Sequence, residues 1–249
     1  MKFKIISFLT LLILIFTNSV YSNDFTLKDL VSLNSPWGLS FIDENKIIIT
    51  EKSGNIKLFN ITENKIFSIK HNLNISTIGQ GGLLDIFYNN ENVYVSYSEK
   101  IKSNNSTTSI AMAKYNNEFL IFKNIFRAKP AINSAYHFGS RIVLKENYLY
   151  ASIGERGKGK IAQDPSQHPG SIIRIHLDGI IPNDNPKFLG NEKWAKEVYQ
   201  IGLRNPQGMA LSPFNSKIYI SNHGARGGDW FGEVTKGSNY GWPILGWGG

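Results

Sequence analysis

The chain has no cysteine. A disulfide framework, a thiolate metal site and a cysteine nucleophile are therefore excluded. It has no block of like charges either. The formal net charge is +8, but the lysines are scattered and no nucleic-acid motif accompanies them, so a polyanion partner is not expected. Scattered lysines suit solvated loops and strand edges, where they discourage edge-to-edge pairing. Past the first residues, no apolar stretch is long enough to cross a bilayer. No segment shows a convincing helical period, and no linker or low-complexity run points to a second domain.

What is present begins with a targeting pattern. Lys2 and Lys4 precede an apolar run from Ile5 to Phe16, and Ser22 offers a small residue for cleavage. That order fits a secretory signal peptide over residues 1–22, with a mature domain from 23 to 249 working in the periplasm or outside the cell. The mature chain then repeats one unit. Pro36–Phe41 is followed by Lys46–Thr50 and Asn55–Phe59. Gly82–Ile86 is followed by Asn92–Tyr97, Ser140–Leu144 by Tyr148–Ile153 and Ser171–Leu177, and Gly208–Leu211 by Lys217–Ser221. Short strands of Ile, Val, Tyr and Phe between Asn-rich turns predict an all-β fold. A hairpin unit recurring at intervals of roughly forty or more residues suggests propeller blades rather than a sandwich. The intervals lengthen through Gly154–Gly170 and Gly179–Glu197, and long loops on a rigid β scaffold are where sites tend to lie.

The chemistry-bearing residues cluster where strands meet Gly-rich loops. His137 precedes Phe138-Gly139-Ser140-Arg141, where a histidine could act as a general base or simply hydrogen-bond a turn. Arg204-Asn205-Pro206-Gln207-Gly208 puts an arginine, suited to paired bonds with carboxylates, at a strand mouth. Asn222-His223-Gly224-Ala225 closes the next strand. Gly79-Gln80-Gly81-Gly82 and Gly154-Glu155-Arg156-Gly157 are further loops: Gln80 reads equally well as a hydrogen-bonding group of a site or as part of a glycine turn, and Glu155 equally well as a site carboxylate or as a solvated loop carboxylate.

Taken in order, these motifs resemble the soluble quinoprotein sugar dehydrogenases, the glucose/sorbosone dehydrogenase family. Gly170-Ser171-Ile172-Ile173-Arg174 and Asp178–Pro186 strengthen the likeness and read as structural, a strand and an Asp-Asn-Pro turn. The resemblance implies a six-bladed β-propeller that oxidises an aldose or related polyol with pyrroloquinoline quinone (PQQ) and Ca2+, passing electrons to an external acceptor. It implies His137 as the catalytic base, Arg204 and Asn205 as cofactor contacts, and the main-chain carbonyls of Gly224 and Ala225 as calcium ligands. Gln80 and Glu155 would face the substrate, and His223 would merely flank the metal. Trp37 and Trp242 read as packing residues. Asp229 is followed by Trp230-Phe231-Gly232 where many relatives carry an acidic residue, so a second calcium site is not expected.

Two rival readings remain. One is a propeller that binds a protein or ligand without turnover. The other is a metal-dependent lactonase, which needs several axial acidic ligands this chain does not offer. Only about four blade-like units can be counted against the family's six, so the chain is expected to be an incomplete propeller. Phe25–Leu33 is expected to be its closing strand.

Overall fold

The computed structural model describes residues 26–188 and 193–246. The signal segment lies outside them. From Val31 onward the chain forms one compact unit. Residues 26–30 fall outside that unit and are exposed without regular structure.

The expected all-β character holds: sixteen strands and a single 3-10 helix, Gly159–Gln163, are present among the described residues. No helix there is long and apolar enough to cross a membrane. The strands form four sheets. The first contains β1 (Pro36–Asp43), β2 (Lys46–Glu51), β3 (Asn55–Asn60) and β4 (Lys65–His71), with β8 (Phe119–Leu120) pairing in parallel at its edge. The second contains β5 (Leu83–Asn89), β6 (Asn92–Lys100), β7 (Ser106–Lys114) and β9 (Lys123–Arg127). The third contains β10 (Gly139–Lys145), β11 (Tyr148–Ile153), β12 (Ser171–His176) and β13 (Val198–Gln200). The fourth contains β14 (Pro206–Leu211), β15 (Ile218–Asn222) and β16 (Trp230–Glu233).

Each sequence unit becomes the antiparallel part of one sheet, and its first strand lies beside the first strand of the next sheet. Period-two alternation sends successive side chains to opposite faces, so an inner sheet must be apolar on both. On β6, Val93, Val95 and Tyr97 pack with Ile48, Ile56 and Leu58 of the first sheet. Tyr94, between them, packs with Ile142 and Leu149 of the third. On β11, Leu149, Ala151 and Ile153 face the second sheet, and Tyr150 packs with Met209 and Ile220 of the fourth. The outer faces differ: Leu39 and Phe41 on β1, and Leu211 and Phe231 on the fourth sheet, are exposed.

The expected closing strand is not formed. Residues 26–33 carry no strand, and Phe25 lies outside the described residues. Val31 and Leu33 instead lie as irregular chain against Ile47, Ile49 and Phe59 of the first sheet. Alternating apolar residues are enough for such packing without any ladder.

A second, polar repeat joins the sheets. The first strand of every sheet is irregular in register near its start, between Pro36 and Gly38, Leu83 and Ile86, Gly139 and Ile142, and Pro206 and Gly208. A bulge leaves a backbone amide without its ladder partner. A buried hydroxyl on the second strand supplies one. Thr50 Oγ1 accepts the Gly38 amide at 3.0 Å, Ser96 Oγ the Asp85 amide at 2.9 Å, and Ser152 Oγ the Arg141 amide at 2.9 Å. Each hydroxyl then donates to a first-strand carbonyl of the next sheet: Thr50 to Leu84, Ser96 to Ser140, and Ser152 to Pro206 at 2.8 Å. All three hydroxyl residues are fully buried.

A charged link runs across the same strands. Asp85 on β5 holds the Arg141 guanidinium at 2.7 Å and accepts the Ile142 amide at 2.7 Å. Arg141 donates to the Gln207 carbonyl at 3.1 Å and lies 4.3 Å over the Trp37 ring. Burial pushes the Asp85 carboxyl above its ordinary range, against the opposing pull of Arg141.

Ser152→Ala removes a bridge between the third and fourth sheets and strands a buried amide and carbonyl. It should lower unfolding free energy by about 1–3 kcal/mol, read as a fall in denaturant midpoint at constant m-value. An unchanged midpoint would show that the hydroxyl bridge carries no net stability.

Candidate active site

In an antiparallel sheet the start of the first strand lies against the end of the second. Gly139 is opposite Ile153, Pro206 opposite Asn222, and Leu83 opposite Tyr97. Loops entering first strands and loops leaving second strands therefore emerge at one end of the assembly. Gln80, His137, Arg204 and Asn205 enter first strands, and Glu155, Gly224 and Ala225 leave second strands. Topology alone gathers these motifs from distant parts of the sequence.

His137 sits two residues before β10 in the left-handed region, with φ 53°. Its ring Nδ1 lies 2.7 Å from Glu155 Oε1. A carboxylate oxygen accepts, so this contact suits the tautomer with the proton on Nδ1, which turns Nε2 outward as the acceptor. The backbone is held as well. The His137 amide donates to Gln80 Oε1 at 2.7 Å, and the Gln80 amide donates to the Ala135 carbonyl at 2.8 Å. Gln80, expected to face the substrate, thus engages the histidine loop with its side-chain oxygen.

Glu155 was expected among substrate-facing or solvated residues, yet it is only 2% exposed. One oxygen meets His137 and the other accepts the Lys158 amide. Its own amide donates to the Arg204 carbonyl at 2.9 Å. The carboxylate stands behind the imidazole, buried by the segment that carries His137. The two segments approach closely: a Cβ on Gly154 would run into the His137 carbonyl, and one on Gly139, at φ 64°, would lie 2.7 Å from the Gly154 nitrogen. Those two positions need glycine for contact distance.

Asn205 is 2% exposed and accepts the Gly139 amide at 3.0 Å, tying the entry of β10 to the entry of β14. Asn222, quoted in the sequence only as part of its motif, proves to be a hub. Its Oδ1 accepts both the Arg204 amide at 3.2 Å and the Asn205 amide at 3.0 Å. Residue type alone could have signalled this, since a buried asparagine at a strand end must spend its amide on backbone groups.

The Arg204 guanidinium remains largely uncommitted. It makes one 3.4 Å bond to the His223 carbonyl, lies 5.6 Å from the Trp242 ring centre, and forms no ion pair among the described residues. The nearby Asp229 carboxyl is held below its ordinary range by the Gly224 amide, helped by the charges of His223 and Arg204. His223 bridges Asp229 at 3.4 Å and Gln207 at 2.8 Å, a flanking position. The carbonyls of Gly224 and Ala225 accept no hydrogen bond among the described residues. A free guanidinium suits an anionic ligand, and unengaged carbonyl oxygens suit a hard cation. The residues present fit both groups. No cluster of three acidic or histidine side chains able to hold a metal occurs among the described residues.

Behind the loop lies a buried arginine that sequence reasoning missed. Arg156 is 1% exposed, and its guanidinium donates only to Ser134, Tyr136 and Ser106. Burial lowers its pKa to about 10, partly offset by the charge of Glu155, and it stays a cation at neutral pH.

Comparison with known proteins shows which family the chain resembles. The family model described as Glucose / Sorbosone dehydrogenase matches residues 33–249. Aldose sugar dehydrogenase YliI of Escherichia coli (strain K12) is 32% identical over 226 residues, covering 87% of this chain and 61% of that protein. Quinoprotein glucose dehydrogenase B of Acinetobacter calcoaceticus is 30% identical over 260 residues, covering 90% of this chain and 53% of that protein. The PQQ-bound aldose sugar dehydrogenase from Streptomyces coelicolor superposes with a TM-score of 0.75 at 26% identity, over 86% of this chain and 64% of that one. This chain thus spans less than two thirds of the length of each. The match over residues 33–249 takes in every strand and every loop of the site, and the chain belongs to the glucose/sorbosone dehydrogenase family.

Proposed function

We propose that the site oxidises an aldose sugar or related polyol, with His137 as general base. The observation that carries this reading is the His137–Glu155 pair, which engages Nδ1 and leaves Nε2 unengaged at the mouth of β10. His137 Nε2 would take the hydroxyl proton of the sugar as the carbon–hydrogen bond is broken. Glu155 would hold the ring in the right tautomer and stabilise the imidazolium that results. Gln80 would keep the His137 backbone in place while its amide nitrogen stays available to substrate.

The fit of the loop residues supports PQQ with Ca2+ as cofactors. Arg204 would bind a quinone carboxylate, Asn205 would hold the loop beneath it and contact the cofactor, and Gly224 and Ala225 would offer carbonyl oxygens to calcium. When bound, PQQ supplies the acceptor for the substrate hydride, and calcium the Lewis acid that polarises it. An external acceptor would then receive the electrons. The four sheets are read as blades of a propeller of the six-bladed type that the family resemblance implies, and residues 1–22 as an export signal.

Full-length protein reconstituted with PQQ and Ca2+ and offered a panel of sugars with a dye acceptor tests the reading. Ligand binding without any turnover would favour a non-catalytic binding propeller instead.

In that system His137→Ala should lower kcat by about 10²–10⁴-fold with PQQ affinity retained. An undiminished kcat would remove His137 from the chemistry. Arg204→Ala should raise the Kd for PQQ by about 10–100-fold, the loss of a charge-assisted bond, with little change in Tm. A lower Tm with unchanged affinity would make Arg204 a structural residue.

A further inference from the structure

We propose that the Arg156 side chain is a positioning residue for His137, clamping the backbone of residues 134–138 so that the imidazole stays aligned with Glu155. The proposal rests on the reading of His137 as the base and adds a component behind it.

The segment from Ser134 to Phe138 has no strand pairing of its own. Its carbonyls must find partners elsewhere, or the loop would hold several shapes. Arg156 supplies most of them. Nε donates to the Tyr136 carbonyl at 3.0 Å and Nη2 to the Ser134 carbonyl at 2.6 Å. The Arg156 amide donates to the His137 carbonyl at 3.2 Å. The guanidinium lies 3.7 Å over the Phe138 ring. The clamp is itself anchored in the second sheet. Nη1 donates to the Ser106 carbonyl at 2.8 Å and Nη2 to Ser106 Oγ at 3.2 Å, at the first residue of β7. One side chain therefore touches residues on both sides of His137 and ties them to a strand.

Two features show why such a hold is needed. His137 adopts φ 53°, a region that disfavours residues with a Cβ. A free loop would leave that conformation, and the ring would leave Glu155. Arg156 itself adopts φ 60°. Two adjacent-loop residues in this region mark a conformation maintained by its surroundings. The guanidinium is the right tool, because its donors lie in one rigid plane and reach several carbonyls at once. An ammonium is a point charge and satisfies fewer. Among the described residues no carboxylate is in ion-pair contact with Arg156, and burying a cation in that way is costly, which argues that the arginine serves the loop rather than the stability of the sheets. Glu155 and Arg156 thus form two parts of one holder, a carboxylate for the ring and a guanidinium for the backbone.

The test compares Arg156→Lys and Arg156→Met with the unmutated full-length protein. The readouts are imidazole nitrogen chemical shifts of His137, amide exchange of residues 134–139, and sugar oxidation after loading with PQQ and Ca2+. The unmutated protein should show His137 as the Nδ1-protonated tautomer. Both variants should mix tautomers and exchange faster over residues 134–139, with the strands of the third sheet unchanged. Turnover should fall in kcat, on the order of 10²-fold for a misplaced base, with PQQ affinity retained. An unchanged tautomer and unchanged loop exchange in the folded variants would overturn the proposal. So would global unfolding of the lysine variant, which would make Arg156 a residue of the core. The tautomer and exchange measurements need no turnover, so a protein inactive on every sugar would sink the functional reading and still judge Arg156.

Discussion

The structure depends on a hydroxyl bridge repeated from sheet to sheet. Thr50, Ser96 and Ser152 each accept an amide freed by the bulge in their own first strand and donate to a first-strand carbonyl of the next sheet. The bridge solves two problems with one oxygen. It satisfies a buried amide that the ladder abandons, and it sets the distance between neighbouring first strands. Apolar packing between sheets is non-directional and would tolerate sliding; a hydrogen bond does not. The bridged residues lie directly beneath the loops holding Gln80, His137 and Arg204. The spacing of the site's parts is therefore inherited from the bridges below it.

Above the bridges, polar groups are satisfied almost entirely by one another. Asn205 ties two first strands through the Gly139 amide, and Asn222 ties Arg204 and Asn205 to the following strand. Glu155 is hung from the Arg204 carbonyl. In a medium of low dielectric such bonds are strong, and their loss leaves buried groups unpaired. Among the described residues, the members with capacity to spare are the Arg204 guanidinium, with its one long bond, the two loop carbonyls and the outer nitrogen of His137, the groups that a ligand could use.

Much of this was legible in the chain. Runs such as Lys46–Thr50 and Tyr148–Ile153 marked second strands because inner sheets are apolar on both faces. Gly-rich loops with Arg204, Asn205 and His137 marked the end where they converge. The last strands were harder. Ser106–Lys114 opens with four hydroxyl residues and looks like a loop, although those hydroxyls are buried and bonded to neighbouring segments. A solvated loop is one of two readings of Glu155, and nothing in Gly154-Glu155-Arg156-Gly157 announces cover for it or for Arg156. Their burial comes from residues 134–138, brought across by pairing of β10 with β11. Short-range pattern cannot report such a contact.

The held residues around His137 alternate with unheld ones. Tyr136 and Ile78 are more than half exposed, and the bonds that fix the loop run through the Tyr136 carbonyl, not its ring. The Tyr136 ring does lie 6.0 Å from the His137 ring, so of the two Ile78 is the position whose side chain can change size or polarity with the bonds to His137 and Glu155 kept. On the proposed reading, exposed side chains at the edge of the loop are separate from the bonds that hold His137, so a change at such an edge position would alter the surface of the site without removing the bonds beneath it.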